Sequence, residues 1–415
     1  MMEFKKHILD NGLTVVGEPN KSAKSAAVGF FVRTGSRDET RQVSGVSHFL
    51  EHMLFKGTDK LGSLEVNEAF DRLGAQFNAF TSEENTVYYA AVLPEYLTAI
   101  AQLWADLMRP ALRDEDFNME KNVIKEEIAM YEDTPSFDVL DKGRSLYFQA
   151  HPCGNSVLGS RQSIDALTAK QMHDYFIPRY APNNMTVALA GNFDWGKMVE
   201  LISRHCDRWQ RQTAPRSTDD YSGTPKISRL EKPNVNREHI CLISPAVPMQ
   251  DNRRFAASLL SSIVGDSVGS RYFWALVDKA LAETATMHCE SMDGTGAFYS
   301  YICCGTDNVR KVLDTVKALF GDLESSGVTK AELTAARNKT LSAMVLKDEV
   351  PMGRLVSVGF NWVYLNEYRS TAQDVADVKA VTVDDVNSLI TSLRPGCFTK
   401  FAIGPSSSKP TCLRP

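Results

Sequence analysis

Apolar residues along this chain follow two rhythms: alternation, which marks strands, and spacings of three and four, which mark helices. The chain opens as a hairpin, because Asn11-Gly12 separates two apolar-rich runs and supplies the positive-φ pair of a type I′ turn. A strand follows at about 26–32. Residues 45–55 place apolar side chains at helical spacing without a proline, so they read as a helix. A second helix, about 64–73, stops at Gly74, a favourable residue just past a helix end. Residues 76–81 and 86–93 read as neighbouring strands, and Pro94 opens a helix running to about Met108. A carboxylate-rich helix is expected over 114–131.

The least patterned stretch is 210–226, polar, with two prolines and a glycine and no apolar period. It divides the chain nearly in half, and the halves resemble each other. Thr86-Val-Tyr-Tyr-Ala-Ala-Val matches Ala297-Phe-Tyr-Ser-Tyr-Ile-Cys, and the helix from Asp114 matches one from Thr329. Near the end of each half, Leu167-Thr168 and Val381-Thr382 begin helices followed by strands. The expectation is an α+β fold of two homologous domains from an internal duplication, 1–213 and 227–415, joined by a linker at 214–226.

Length and composition narrow the field. A chain of 415 residues exceeds one ordinary core, and 43% hydrophobic with 23% charged residues describes a globular protein. The net charge of -5, with no Lys/Arg-rich run, excludes the basic signature of a nucleic-acid binder. No stretch approaches the ~18 apolar residues of a membrane span, and the start lacks the apolar core of a secretory signal. Eight cysteines without a CxxC pair fit free thiols in a reducing compartment. A cytoplasmic location of bacterial type is expected, or an organelle matrix if a targeting segment has been removed.

The chemistry concentrates in His48-Phe49-Leu50-Glu51-His52. On a helix, side chains four apart share a face, so His48 and His52 can hold one metal ion between them. Glu51 points to nearly the same side and can reach a water bound there, as hydrolytic zinc sites require. Phe49, Leu50, Met53 and Leu54 make this helix largely buried, where two histidines and a glutamate need a partner such as a metal. A catalytic zinc takes a third protein ligand, and the carboxylate helix offers it. Glu120 and Glu127 lie seven residues apart on one face, while Glu126 is about 100° away. Glu127 is therefore the expected ligand, with one zinc per chain, and Glu120 the group that orients a histidine or a water. Glu126, Lys125 and Glu115 read as surface charges.

The runs HFLEHMLFKGT and GAQFNAFTSEENTVYYAAV, with the carboxylate helix, resemble the pitrilysin or insulinase family of inverted-motif (HxxEH) zinc metallopeptidases, especially its mitochondrial-processing-peptidase-like branch. The similarity spans essentially the whole chain. It implies a third ligand about 75 residues beyond the second histidine, where Glu127 stands (127 − 52 = 75), and a supporting glutamate matching Glu120. It also implies two similar domains, each an antiparallel sheet covered by helices, packed as halves or subunits around an enclosed chamber. Only the first half carries the metal motif.

In that family a peptide substrate adds as a strand to a sheet edge near the metal, which makes Asn78 and Ala79 candidate substrate contacts. One departure stands out. Active members carry an Arg and a Tyr in a segment like LRxKxxLxY, whereas this chain has Val277 and Glu283 or Thr284 at those places. Either a partner chain supplies that clamp, in a homodimer or a heterodimer with a related subunit, or Arg271, Tyr299 or Tyr301 substitutes. The expected activity is zinc-dependent endopeptidase; the alternatives are a zinc-binding subunit active only with a partner, and a non-catalytic assembly subunit.

Overall fold

The computed structural model describes residues 3–221 and 223–406. Eleven strands form two sheets. The first joins β1 (Lys5–Ile8), β2 (Thr14–Pro19), β3 (Ala26–Val32), β4 (Gln76–Thr81), β5 (Thr86–Val92) and β6 (Met185–Gly191) in the order β1-β2-β6-β3-β5-β4. The second joins β7 (Ile227–Glu231), β8 (Glu238–Pro245), β9 (Thr284–Ser291), β10 (Gly296–Cys304) and β11 (Thr399–Gly404) in the order β7-β11-β8-β10-β9. Without β1, the two orders superimpose strand for strand, as the duplication requires. Each sheet is antiparallel except for one parallel pair, β2 with β6 and β7 with β11.

The repeat extends to the helix ends. Thr168 and Thr382 cap corresponding helices, each hydroxyl accepting a backbone N–H three residues on, with Gln171 and Asp385 reaching back. These reciprocal bonds satisfy donors that a helix start leaves unpaired. The opening hairpin forms, but not as the expected type I′ turn. Gly12 alone adopts positive φ, at 89°. Asn11 instead uses its side chain, accepting from Leu13 N at 3.1 Å and donating to Cys206 O at 2.7 Å.

The chain separates into two compact units, but not at the expected linker alone. The first takes the chain up to Ile128, Asn155–Ser217 and Val345–Ser370; the second takes Ala129–Gly154, Thr218–Met344 and the chain from Thr371. The contiguous division 1–213 and 227–415 therefore needs correction: each half gives one helical segment to the other half's sheet. In the first unit, the helix Pro351–Leu365 buries Leu355, Val358 and Trp362 against Val16, Ala27, Phe31 and Ala188. In the second, the helix Pro135–Phe148 buries Val139, Tyr147 and Phe148 against Cys241, Ile243 and Phe401. Both helices begin with proline and carry glycine eight residues later (143 − 135 and 359 − 351). The glycines allow close approach, since a Cβ at Gly359 would lie 2.2 Å from Phe31 and one at Gly143 2.8 Å from the Cys241 sulfur.

The opposite face of each sheet carries the larger core, built in the first unit around Phe30, Phe49, Phe70, Tyr88 and Trp104. The metal-motif helix belongs to this core. Among the described residues no helix is long and apolar enough to cross a membrane. The seven described cysteines form no disulfide; Cys412, like the rest of 407–415 at the end of the expected second domain, lies outside the described residues.

Candidate metal centre

The helix Val46–Leu54 is fixed at its start before it presents any chemistry. Gly45, with φ 91°, precedes it, and a Cβ there would meet Leu158 O at 2.6 Å. The buried Glu39 carboxylate accepts from Gly45 N and Ser47 N, each at 2.7 Å. It thus caps the helix by accepting two of the N–H bonds that a helix start leaves unpaired, while burial raises its own pKa to about 8. Phe49 then stacks on Phe117 of the carboxylate helix Asp114–Glu132, with centroids 4.8 Å apart and rings 4° from parallel. That contact sets the two ligand-bearing helices against each other.

On this frame His48, His52 and Glu127 offer ligand atoms all within 4.8 Å of one another. His48 Nε2 lies 3.7 Å from Glu127 Oε1, and His52 Nε2 lies 3.4 Å from Glu127 Oε2. Tetrahedral zinc with bonds of about 2.0–2.1 Å sets its donors about 3.4 Å apart, so two nitrogens and a carboxylate at these separations fit that ion. Glu120 stands behind the site, with Oε1 2.8 Å from His52 Nδ1 and Oε2 2.5 Å from Lys56 Nζ. It fixes the His52 ring so that Nε2 faces Glu127. Glu126 is exposed, as its helix phase predicts, and so is Glu115. Lys125 pairs with Asp165 at 2.9 Å, a surface role.

Burial and neighbouring charge set the protonation of these groups. Burial, helped by His52, lowers the His48 pKa to about 4, leaving a neutral imidazole ready to coordinate. At His52 burial also opposes charge, but bonds to Glu120 and Glu127 outweigh it and raise the pKa to about 9. Burial raises the Glu51 pKa, against the lowering effect of a hydrogen bond from Thr81. The sign of the pH effect on metal affinity follows. Below pH 9 His52 carries a proton that zinc must displace, so affinity falls about tenfold per pH unit as the solution is acidified. At pH 7 zinc binding should release close to one proton, measured by calorimetry in buffers of different ionisation enthalpy. Zero release would contradict the assignment of His52.

Asn78 and Ala79 lie on β4, which is the outer strand of the sheet and pairs on one side only, with β5. Asn78 is exposed and accepts through its side chain from Ala79 N at 2.9 Å. The suggested clamp substitutes fare differently. Arg271 is committed to Glu332 at 2.7 Å, Asp322 at 3.1 Å and the Gly327 carbonyl at 2.8 Å, so it tethers helices rather than awaiting a carboxylate. Tyr299 is buried, stacks on His288 and accepts from Arg144 Nε at 3.2 Å. Tyr301 bonds His239 Nδ1 at 2.8 Å. The expectation that Arg271 or Tyr299 contacts substrate is therefore corrected: internal bonds and burial already occupy both. Val277 packs against the second core, and Glu283 pairs with Arg237.

Three residues of the site escaped the sequence reading. Glu39 caps from six and eight residues upstream, beyond any local capping pattern. Lys56 lies one turn past His52, a spacing that could have suggested it. Thr81 stands two residues beyond Ala79 and donates to Glu51 Oε2 at 2.6 Å.

Two histidines and a glutamate placed where they could hold one metal ion, with the Glu51 carboxyl beside them, match the arrangement of the inverted-motif zinc peptidases. The chain belongs to the insulinase family, peptidase family M16. That family's model matches residues 14–161, and the model described as the peptidase M16 inactive domain matches 166–340. The chain is 32% identical over 413 residues to an uncharacterized zinc protease of Mycobacterium leprae, covering 98% of this chain and 93% of that protein. It is 26% identical over 408 residues to a protein of Arabidopsis thaliana named as a mitochondrial-processing peptidase subunit beta, covering 92% of this chain and 75% of that one. The crystal structure of a protease from Helicobacter pylori shares the fold, with TM-score 0.89 at 23% identity, over 98% of this chain and all of that one.

Proposed function

We propose that this chain is a zinc-dependent endopeptidase acting on peptides or unfolded protein segments inside an enclosed chamber. The observation that carries the reading is the convergence of His48, His52 and Glu127 beside the buried Glu51. A zinc ion bound there would supply Lewis acidity, acidifying the attacking water and polarising the scissile carbonyl. Glu51 would accept the proton of that water and pass it to the leaving amine. An extended peptide would pair with the open side of β4, whose backbone groups bind without regard to sequence. A non-catalytic assembly role has no use for this intact set. The chamber rests on the likeness to processing peptidases, and a reducing, cytoplasmic setting fits the unbridged thiols.

The clamp remains to be provided. With Val277 and Glu283 in its place and Arg271 and Tyr299 engaged internally, a second chain is the proposed source, as a homodimer or a heterodimer with a related subunit. The test loads the full chain with one equivalent of zinc and follows cleavage of an internally quenched decapeptide library with light scattering in line. Cleavage that stops with a chelator and returns with zinc is expected, together with a dimer or a weak lone chain. Chelator-resistant cleavage would sink the zinc reading. A monomer turning over at ~10 per second would sink the dependence on a partner.

A further inference from the structure

Resting on the peptidase reading, we infer that Thr81 is a positioning residue that aims the Glu51 carboxylate, so that the substrate-binding strand and the catalytic base move as one unit. The Thr81 hydroxyl donates to Glu51 Oε2 at 2.6 Å and lies 3.3 Å from the Thr86 hydroxyl. Thr86 donates its single proton to Thr34 O at 3.0 Å, which leaves the Thr81 proton for Glu51. One carboxylate oxygen is thereby held, and Oε1 is left for the attacking water. A glutamate has three rotatable side-chain bonds, and without this contact its carboxylate would sample orientations turned away from the water.

Thr81 can act as a fixed point because the turn beyond it is locked. It ends β4 opposite Thr86, and Ser82 N donates to Asn85 O at 2.8 Å across the turn. Below the turn, the buried Arg37 pairs with Glu84 at 2.6 Å, and Arg37 N bonds Glu83 O at 2.8 Å. Tyr364 donates to the other Glu84 oxygen at 2.8 Å. Arg216, brought in by the expected linker, holds Asp38 through two bonds of 3.0 and 2.6 Å and also donates to Glu84 O. The mechanism has no direct use for these buried charges. Their place beneath the β4–β5 turn gives them one: they hold rigid the strand end from which Thr81 reaches the base.

The prediction separates aiming from binding. In Thr81→Val the methyl replaces the hydroxyl at nearly the same volume. At equal zinc content the zinc-loaded full chain should lose about 10- to 100-fold in kcat, with KM within about threefold, on the best-cleaved peptide of the decapeptide library. Thr81→Ser, which keeps the donor, should restore most of the rate. In the Glu51→Gln background, Thr81→Val should cost nothing further, because there is no base left to aim. A Thr81→Val enzyme within twofold of wild type, or a Thr81→Ser enzyme as slow as the valine variant, would overturn the inference. If the valine variant fails to fold, Thr81→Ala against Thr81→Ser makes the same comparison. Wild-type cleavage that persists under a chelator would sink the zinc-peptidase reading instead, so the two failures are told apart.

Discussion

Glu51→Gln should keep one zinc per chain and lose peptidase turnover by about 10²–10⁴-fold, the range that a positioned proton acceptor contributes. The amide has nearly the shape of the carboxylate, and Thr81 can still donate to its carbonyl oxygen. The proposed metal donors are His48, His52 and Glu127, none of which changes. The substitution also removes a group that burial disfavours in its charged form, so thermal stability should not fall. Stability, metal content and rate would then move in three different ways, a pattern that general damage does not produce. Undiminished turnover at full zinc occupancy would mean that another group takes the proton.

Glu127→Gln should weaken zinc binding at least ~100-fold, while its neighbour Glu126→Gln leaves it within about twofold, as read by competition with a chromogenic chelator. Glu127 approaches both His48 and His52 and is half-buried, whereas Glu126 is exposed. Loss of the Glu127 charge removes an anionic ligand and also one of the two carboxylates that His52 contacts. Replacing an exposed glutamate removes neither. The reverse order of effects would place the helix one residue out of phase and overturn the ligand assignment.

That phase was legible before the structure because helical geometry alone decides it. Residues seven apart share a face and adjacent residues do not, so Glu120 and Glu127 separated from Glu126 on arithmetic. The HxxEH helix was legible for the same reason, and β4 and β5 showed through their alternation and the turn between them. The partner of a buried face was not legible. Apolar spacing says that Pro351–Leu365 must bury a stripe, but nothing local says against which sheet, and it lies against β3 and β6 of the first unit rather than its own half. The same blindness to long-range partners explains Arg271. Its position in the second half suggested a clamp, and only the fold brings Glu332, 61 residues away, to neutralise it. Glu39 and Thr81 escaped because their partners come together only once the loops and strands have closed.

The exchanged helices also bear on the order of synthesis. All six strands of the first sheet have been made once residue 191 is joined, but the helix that covers Val16, Ala27, Phe31 and Ala188 begins only at residue 351. About 160 residues (351 − 191) must be translated while that apolar face has no native cover, the kind of surface that draws nascent chains into aggregation. The second unit waits in the opposite direction, since Pro135–Phe148 is ready long before β11, at 399–404, completes the surface it packs against. Neither fold is therefore complete until most of the chain has been translated.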